Sequence, residues 1–358
     1  MTLDIPGYRL HNQFLSQTNF TEPGAVVAAL GAVQSQDYAG GKWGLGLRMQ
    51  GTTDAALDQA FNEGRILRTH ILRPTWHFVA PEDIRWMLAL SAPRVHMANG
   101  FMYRQQDVDG ASIRKSYTVL EKVLQGGKSL TRPELGSALE KAGIKKAEGI
   151  RLGYFIMSAE LDGILCSGPR RGKQFTYALL EERASRVRAL ERDEALAELT
   201  RRYFATRGPA TLHDFTWWSG LTMADAKEGI EAVKSEFVNE VIDGKTYWFN
   251  SSVSPVKENS PTAHLLPNYD EYFIGFKDRS AIGEVAKQAN IRANDPSFLA
   301  HVIVLDGQVV GGWKRVINKE KALVEFTPLV RLTKDQEQAL DRAASQYSEF
   351  LQLPVERA

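Results

Sequence analysis

Thr211-Leu212-His213-Asp214-Phe215-Thr216-Trp217-Trp218-Ser219-Gly220-Leu221-Thr222-Met223-Ala224-Asp225 holds two helix starts separated by one tight turn. Thr211 with Asp214, and Thr222 with Asp225, have capping-box spacing, in which side-chain oxygens satisfy the first free N–H groups of a helix. Ser219-Gly220-Leu221 supplies the turn. The first of these helices ends at Trp217-Trp218 and the second runs to about Val233. Upstream, Leu196, Leu199, Tyr203 and Phe204 line one face of a helix predicted over Asp193–Arg207 and stopped by Gly208-Pro209. Downstream, strands are expected over Phe237–Ile242 and Thr246–Phe249, joined by Asp243-Gly244-Lys245, a strong hairpin signal. Helix, turn, helix and hairpin together describe a winged helix.

The scheme recurs toward the N-terminus. A helix over Tyr117–Leu124 precedes the cap Thr131-Arg132-Pro133-Glu134, which opens a helix ending at Gly143. Gly149–Leu161 follows, with Leu152, Phe155, Ile156 and Ala159 inward. Strands Ile164–Ser167 and Gln174–Leu179 then flank a basic wing tip, Gly168-Pro169-Arg170-Arg171-Gly172-Lys173. A first, less regular copy carries its strands in Ile66–Val79, with Pro74 confined to an edge or bulge. Pro81-Glu82-Asp83 starts a linking helix. Beyond Pro261 the pattern turns β-like, at Phe273–Ile274, Val302–Leu305, Val309–Val316 and Ala322–Phe326, with Asp306-Gly307 as a hairpin turn. A capped helix over Thr333–Leu351 ends the chain. The expected fold class is α+β, mainly α. It comprises three tandem winged helix-turn-helix domains (1–80, 116–182 and 183–260), linking helices (81–115) and a small C-terminal antiparallel β domain, barrel-like, with a terminal helix (261–358).

Composition fits that plan. At 358 residues the chain is too long for one core. With 43% hydrophobic and 24% charged residues it has the balance of a water-soluble globular protein. The net charge of +1 requires that any nucleic-acid contact come from a local basic surface. A single cysteine, Cys166, cannot form an internal disulfide and fits a reducing cytoplasm. No apolar run reaches membrane-spanning length, Met1–Leu15 lacks the apolar core of a signal peptide, and no histidine cluster or CxxC pair suggests zinc.

The chemistry gathers near Gly31-Ala32-Val33-Gln34-Ser35-Gln36-Asp37-Tyr38-Ala39-Gly40-Gly41-Lys42-Trp43-Gly44. Val26, Val27, Leu30 and Val33 fall at helical spacing, so the stretch reads as a helix end stopped at Gly40 or Gly41. On a continuous helix Gln34 and Gln36 point to nearly opposite sides, and they converge only if the backbone leaves helical geometry between them. Read alone, they are either a polar helix end without function or a site. Basic residues recur near the proposed wings: Arg65, Arg68 and Arg73 in the first, Arg170, Arg171 and Lys173 in the second. Individually these are solvated charges. Clustered at a hairpin tip, as at Arg170 and Arg171, they suit phosphates.

The Gln-x-Gln stretch with Tyr38, Gly41-Lys42-Trp43 and Leu45, followed by Arg73-Pro74-Thr75-Trp76-His77, resembles the AlkZ-like (YcaQ-related) bacterial DNA glycosylases. Leu265-Leu266-Pro267-Asn268-Tyr269-Asp270-Glu271-Tyr272 and Gly311-Gly312-Trp313 extend the resemblance over nearly the whole chain. It implies a C-shaped surface around duplex DNA and excision of alkylated purines, including crosslinked ones. It also implies a catalytic pair at Gln34 and Gln36, one branch of the family having aspartate in the second place. Under this reading Asp37, Thr75 and His77 are supporting residues. Lys42, Arg65, Arg68, Arg73, Arg170, Arg171 and Lys173 are candidate DNA contacts. No metal or cofactor is expected, and the protein is expected to be a cytoplasmic, bacterial monomer that meets the nucleoid when bound to DNA.

Physical chemistry fits the pair to one substrate class. Hydrolysis of an ordinary N-glycosidic bond needs an acid for the leaving base and a carboxylate for water or the sugar cation. A glutamine amide is a poor base. An N7- or N3-alkylated purine, however, already carries positive charge and leaves without protonation. It needs a held water and stabilisation of a cationic sugar, which two amide oxygens provide. No lysine stands out as a Schiff-base nucleophile, so no lyase step is expected. The rival reading is a non-catalytic winged-helix DNA-binding protein or transcriptional regulator. His77 suits either phosphate or lesion contact or a place in the core. Asp37 suits either orienting an amide or water or capping a helix. Trp43 reads as a core anchor, and Tyr269-Asp270-Glu271 as structural.

Overall fold

The computed structural model describes residues 3–184, 189–251, 261–289 and 301–357. The first segment runs α1 (Ile5–Asn12), α2 (Pro23–Leu30), β1 (Val33–Gln34), α3 (Tyr38–Gly46), α4 (Asp54–Glu63), β2 (Leu67–His70) and β3 (Trp76–Val79). The long helix α5 (Ile84–Gln105) leads to α6 (Gly110–Leu124), β4 (Leu130–Thr131), α7 (Arg132–Lys141), α8 (Gly149–Leu161), β5 (Leu165–Ser167), β6 (Thr176–Leu179) and the short α9 (Leu180–Arg183). Then come α10 (Arg192–Arg207), α11 (Leu212–Ser219), α12 (Met223–Val233), β7 (Val238–Ile242) and β8 (Lys245–Phe249). The last segment holds β9 (Ala263–Leu266), α13 (Glu271–Ile274), α14 (Glu284–Gln288), β10 (Val302–Leu305), β11 (Gln308–Ile317), β12 (Ala322–Pro328), α15 (Lys334–Leu351) and β13 (Val355–Arg357). The fold is α+β. No helix among the described residues is long and apolar enough to cross a membrane.

One element order repeats three times: helix, short strand, helix, helix, then a strand pair. In the first two repeats the short strand adds to the pair, giving sheets β1-β3-β2 and β4-β6-β5. In the third, Ala210 occupies that place through a bridge to Trp248 beside β7-β8. The capping boxes at Thr131, Thr211 and Thr222 form as read from the sequence. Each such cap contributes about 1 kcal/mol to the helix it starts.

Several expectations are corrected. Helix α2 stops at Leu30 because Gly31 adopts φ 79°, so Val33 and Gln34 are extended. Gly40 and Gly41 do not stop a helix; they lie inside α3, which Asp37 caps through the N–H of Gly40. They are glycines for space: a Cβ on Gly41 meets Phe78 at 3.0 Å and Ser35 at 3.2 Å. Phe273–Ile274 is not a strand but part of the helical turn α13, capped by Asp270. The C-terminal sheet, ordered β13-β12-β11-β10-β9, is antiparallel except for its edge, where β13 runs parallel to β12. The boundary expected between 115 and 116 falls inside α6. The one expected at 260 lies outside the described residues.

Two hydrophobic cores meet at the glutamine stretch. Val33 belongs to a core that joins the first repeat to the C-terminal sheet through Trp43, Leu265, Trp313 and Tyr347. Its neighbour Ala32 belongs to a second core, shared by the first and third repeats through Leu196, Leu199 and Trp218. β1 is thus anchored on both sides before a glutamine is placed. The second repeat has its own core around Leu120, Leu139 and Phe155.

Candidate base-excision site

β1 pairs antiparallel with β3, setting Gln34 opposite His77. The Ser35 N–H continues the ladder to the Trp76 carbonyl at 2.8 Å. The backbone between the glutamines is not helical: Gln34 ends β1 and Gln36 lies in the bend that follows. Both amides contact the segment leading into β3. Gln34 Oε1 accepts from Arg73 Nη2 at 3.2 Å, and Gln36 Oε1 accepts from the Trp76 N–H at 3.4 Å. Gln34 is buried and Gln36 exposed.

The backbone under Gln34 is held from far along the chain. Its N–H donates to Glu271 Oε1 at 2.9 Å, across 237 positions. Glu271 Oε2 accepts from Arg207 Nη2 at 2.7 Å and from the Trp218 indole N–H at 2.9 Å. Arg207 also donates to the carbonyls of Leu30 and Ala32. Around this strand sit buried polar atoms with no hydrogen-bond partner in the protein: Ser35 Oγ, Thr69 Oγ1, Arg73 Nε, Thr75 Oγ1 and His77 Nε2. Buried polar groups are ordinarily satisfied, so this concentration marks a place equipped to bind water or substrate.

A model of the family "DNA glycosylase AlkZ-like" matches residues 27–350. The chain belongs to the AlkZ-like DNA glycosylases. It is 25% identical over 348 residues to an interstrand DNA cross-link repair glycosylase of Streptomyces sahachiroi, covering 91% of this chain and 90% of that protein. The solved Streptomyces sahachiroi DNA glycosylase AlkZ has the same fold, with TM-score 0.78, 22% identity and coverage of 99% and 98% of the two chains. The protein is therefore a DNA glycosylase, a DNA-binding enzyme of DNA repair.

Several sequence-derived site residues take other places in this glycosylase. His77 lies wholly buried, with Nδ1 bonded to the Thr75 carbonyl at 3.0 Å. Burial, and then the nearby Arg73 guanidinium, push its imidazole down to about 3. The ring is packed inside the protein, with Nε2 among the unpartnered polar atoms beside β1. Asp37 is a helix cap, with Arg315 at 3.7 Å. Trp43 is the core anchor expected, and its indole N–H donates to the Leu265 carbonyl at 2.6 Å.

The basic residues divide in the same way. Lys42 is only 4% exposed in its side chain and bridges Asp54 at 2.8 Å and Asp58 at 3.0 Å. Arg68 is buried, donates twice to the Ser35 carbonyl, and stacks its guanidinium over Trp76 at 4.3 Å and Phe175 at 4.7 Å. Each is engaged by interior partners and not presented at the surface. Arg170 is tied to Asp58 at 3.1 Å and covers Tyr38. Arg65 is exposed but shared between Glu22 and Glu63. Arg73 is turned to Gln34. At the wing tip, Arg171 is exposed and paired with Glu134, and Lys173 is exposed. Among the described residues no group of three His, Cys, Asp or Glu side chains is arranged to hold a metal ion.

Glu271, Arg207 and Trp218 were missed as site residues. Glu271 reads from the sequence as structural, and it is, but the structure it holds is the glutamine strand. Only the resemblance, which included the 265–272 segment, carried a signal for it.

Proposed function

We propose that this glycosylase is monofunctional and hydrolyses the N-glycosidic bond of cationic alkylpurines in duplex DNA, with Gln34 and Gln36 positioning the water. The observation that carries the reading is the fixed geometry of the pair. Two amide oxygens come from β1 and the bend directly after it, a stretch anchored from two cores and by Glu271, beside a set of unpartnered polar atoms. Such a site offers dipoles and a held water, while its nearest carboxylates, Glu271 and Asp37, are taken up in structural bonds, which suits a leaving group that already bears charge. The relative's action on interstrand cross-links supports including cross-linked purines among the substrates. In this reading the three repeats are winged helices at 1–80, 116–182 and 183–260, the enzyme works as a monomer, and Arg171 and Lys173 meet phosphates. Release of free base from duplex DNA carrying N7-methylguanine tests it.

A further inference from the structure

A cavity of about 260 Å³ opens beside Gln36, between the first and second repeats. Gln36, His70 and Trp76 line one side; Ile150, Tyr154 and Tyr177 line the other. Its volume lies just below the range of drug-sized ligand sites and suits a nucleobase. Two features distinguish it from a surface crevice.

The first is a buried dyad. His70 Nδ1 lies 2.5 Å from Glu160 Oε2, and the carboxylate comes from α8 of the other repeat, itself only 1% exposed. A carboxylate accepts, so Nδ1 carries the hydrogen, and in the neutral tautomer this leaves Nε2 as the acceptor. The ring lines the cavity. The ring is fixed further against Trp76, centroids 4.4 Å apart, whose indole is backed by Arg68. His70 and Trp76 are cross-strand partners in the β2-β3 ladder, and the Trp76 N–H holds the Gln36 amide. Dyad and glutamine therefore share one rigid frame. The second feature is the aromatic lining, with Trp76 on one wall and Tyr154 and Tyr177 on the other, while Ile150, 62% exposed, stands at the rim.

We propose that this cavity receives the damaged purine turned out of the stack, and that His70 Nε2 accepts a hydrogen bond from its N–H edge. Glu160 is the positioning residue behind His70. An alkylated purine cation has strongly polarised ring and amino N–H donors. An imidazole acceptor backed by a buried carboxylate prefers that cation to the neutral base, and the aromatic walls take its faces. The inference rests on the excision reading above and adds where the base goes and what selects its charge.

The test measures equilibrium affinity for a duplex carrying a non-hydrolysable 2′-fluoro analogue of N7-methylguanosine, against the same duplex with 2′-fluoroguanosine. Wild type is expected to prefer the cationic duplex. Ile150→Trp, a rim substitution on an exposed side chain, fills the mouth and lowers that preference at least about tenfold, leaving affinity for the unmodified duplex unchanged. His70→Leu does the same, and His70→Gln, which keeps an acceptor oxygen, retains most of the preference. Glu160→Gln, which keeps the orienting acceptor but removes the charge, reduces it. Full preference in Ile150→Trp overturns the proposal, even if His70→Leu loses it, since that loss then reports folding. Absence of N7-methylguanine release by wild type defeats the excision reading; release with unaltered preference in the variants defeats this inference alone.

Discussion

The backbone N–H of Gln34 and the carboxylate of Glu271 meet at 2.9 Å, although the chain separates them by 237 positions. The two oxygens of Glu271 divide the work. One holds the glutamine strand; the other takes Arg207 and Trp218 from the third repeat. Arg207 and Glu271 are both 0% exposed, so the position of Gln34 depends on a fully buried ion pair. Breaking such a pair leaves an uncompensated charge in the interior.

Glu271→Ala is therefore expected to cost about 3–5 kcal/mol of stability by stranding Arg207. Glu271→Gln keeps an acceptor for the Gln34 N–H and should lose less. Thermal unfolding of both against wild type checks this; a Glu271→Ala variant as stable as wild type would mean that the ion pair contributes nothing.

Arg73→Ala separates two roles for this arginine. With its guanidinium on Gln34 Oε1 at 3.2 Å, the substitution should slow single-turnover excision roughly tenfold or more. Affinity for undamaged duplex and its salt dependence should stay unchanged. A reduced salt slope with a normal excision rate would return Arg73 to the phosphates.

At the second wing tip, Arg171→Ala and Lys173→Ala should each lower the slope of log K against log salt by about one, equally for damaged and undamaged duplexes. Lys42→Met serves as the contrast. Its ammonium is spent on Asp54 and Asp58, so it should lose stability and keep the slope. Salt titrations of the three variants decide between these outcomes.

His77 makes stability depend on pH. Its folded imidazole is pushed down to about 3 by burial, whereas the unfolded side chain protonates near 6.5. Between those values the unfolded chain binds a proton that the folded chain refuses, so stability falls as pH drops from about 6.5 toward 3. His264 and His301, both pushed down to about 4, act in the same direction. His77→Phe should make the decline from pH 7 to pH 4 shallower without abolishing it, as read by denaturant unfolding. An unchanged decline would show that His77 titrates freely when folded.

The repeats were legible because their helices announce their own ends. Thr211, Thr222 and Thr131 cap locally, and Gly220 ends α11 in the left-handed conformation. β1 was not legible, since a two-residue strand is defined by a partner more than forty positions away, and Val33 happens to continue the helical spacing of α2. The glycines of α3 looked like a turn because sequence carries no record of Phe78 and Ser35 packing against Gly41. Phe273–Ile274 looked like a strand by residue type, and the Asp270 cap overrode that preference. For the candidate site, Gln34 and Gln36 were found through resemblance. Lys42 and Arg68 read as surface charges because charge in a sequence does not reveal burial.

The most direct measurement is single-turnover release of N7-methylguanine from duplex DNA by wild type, Gln34→Ala, Gln36→Ala and the double variant. Gln34 ends a strand fixed by its neighbours and Gln36 is exposed in the bend after it, so folding and duplex affinity should change little. Loss of one group that positions water in the transition state costs on the order of 2–4 kcal/mol, roughly a hundredfold or more in rate. The account predicts that loss in each single variant, with unmodified purines and neutral deaminated bases left uncut by wild type. Full activity in the double variant, or efficient release of uracil or hypoxanthine, would contradict it.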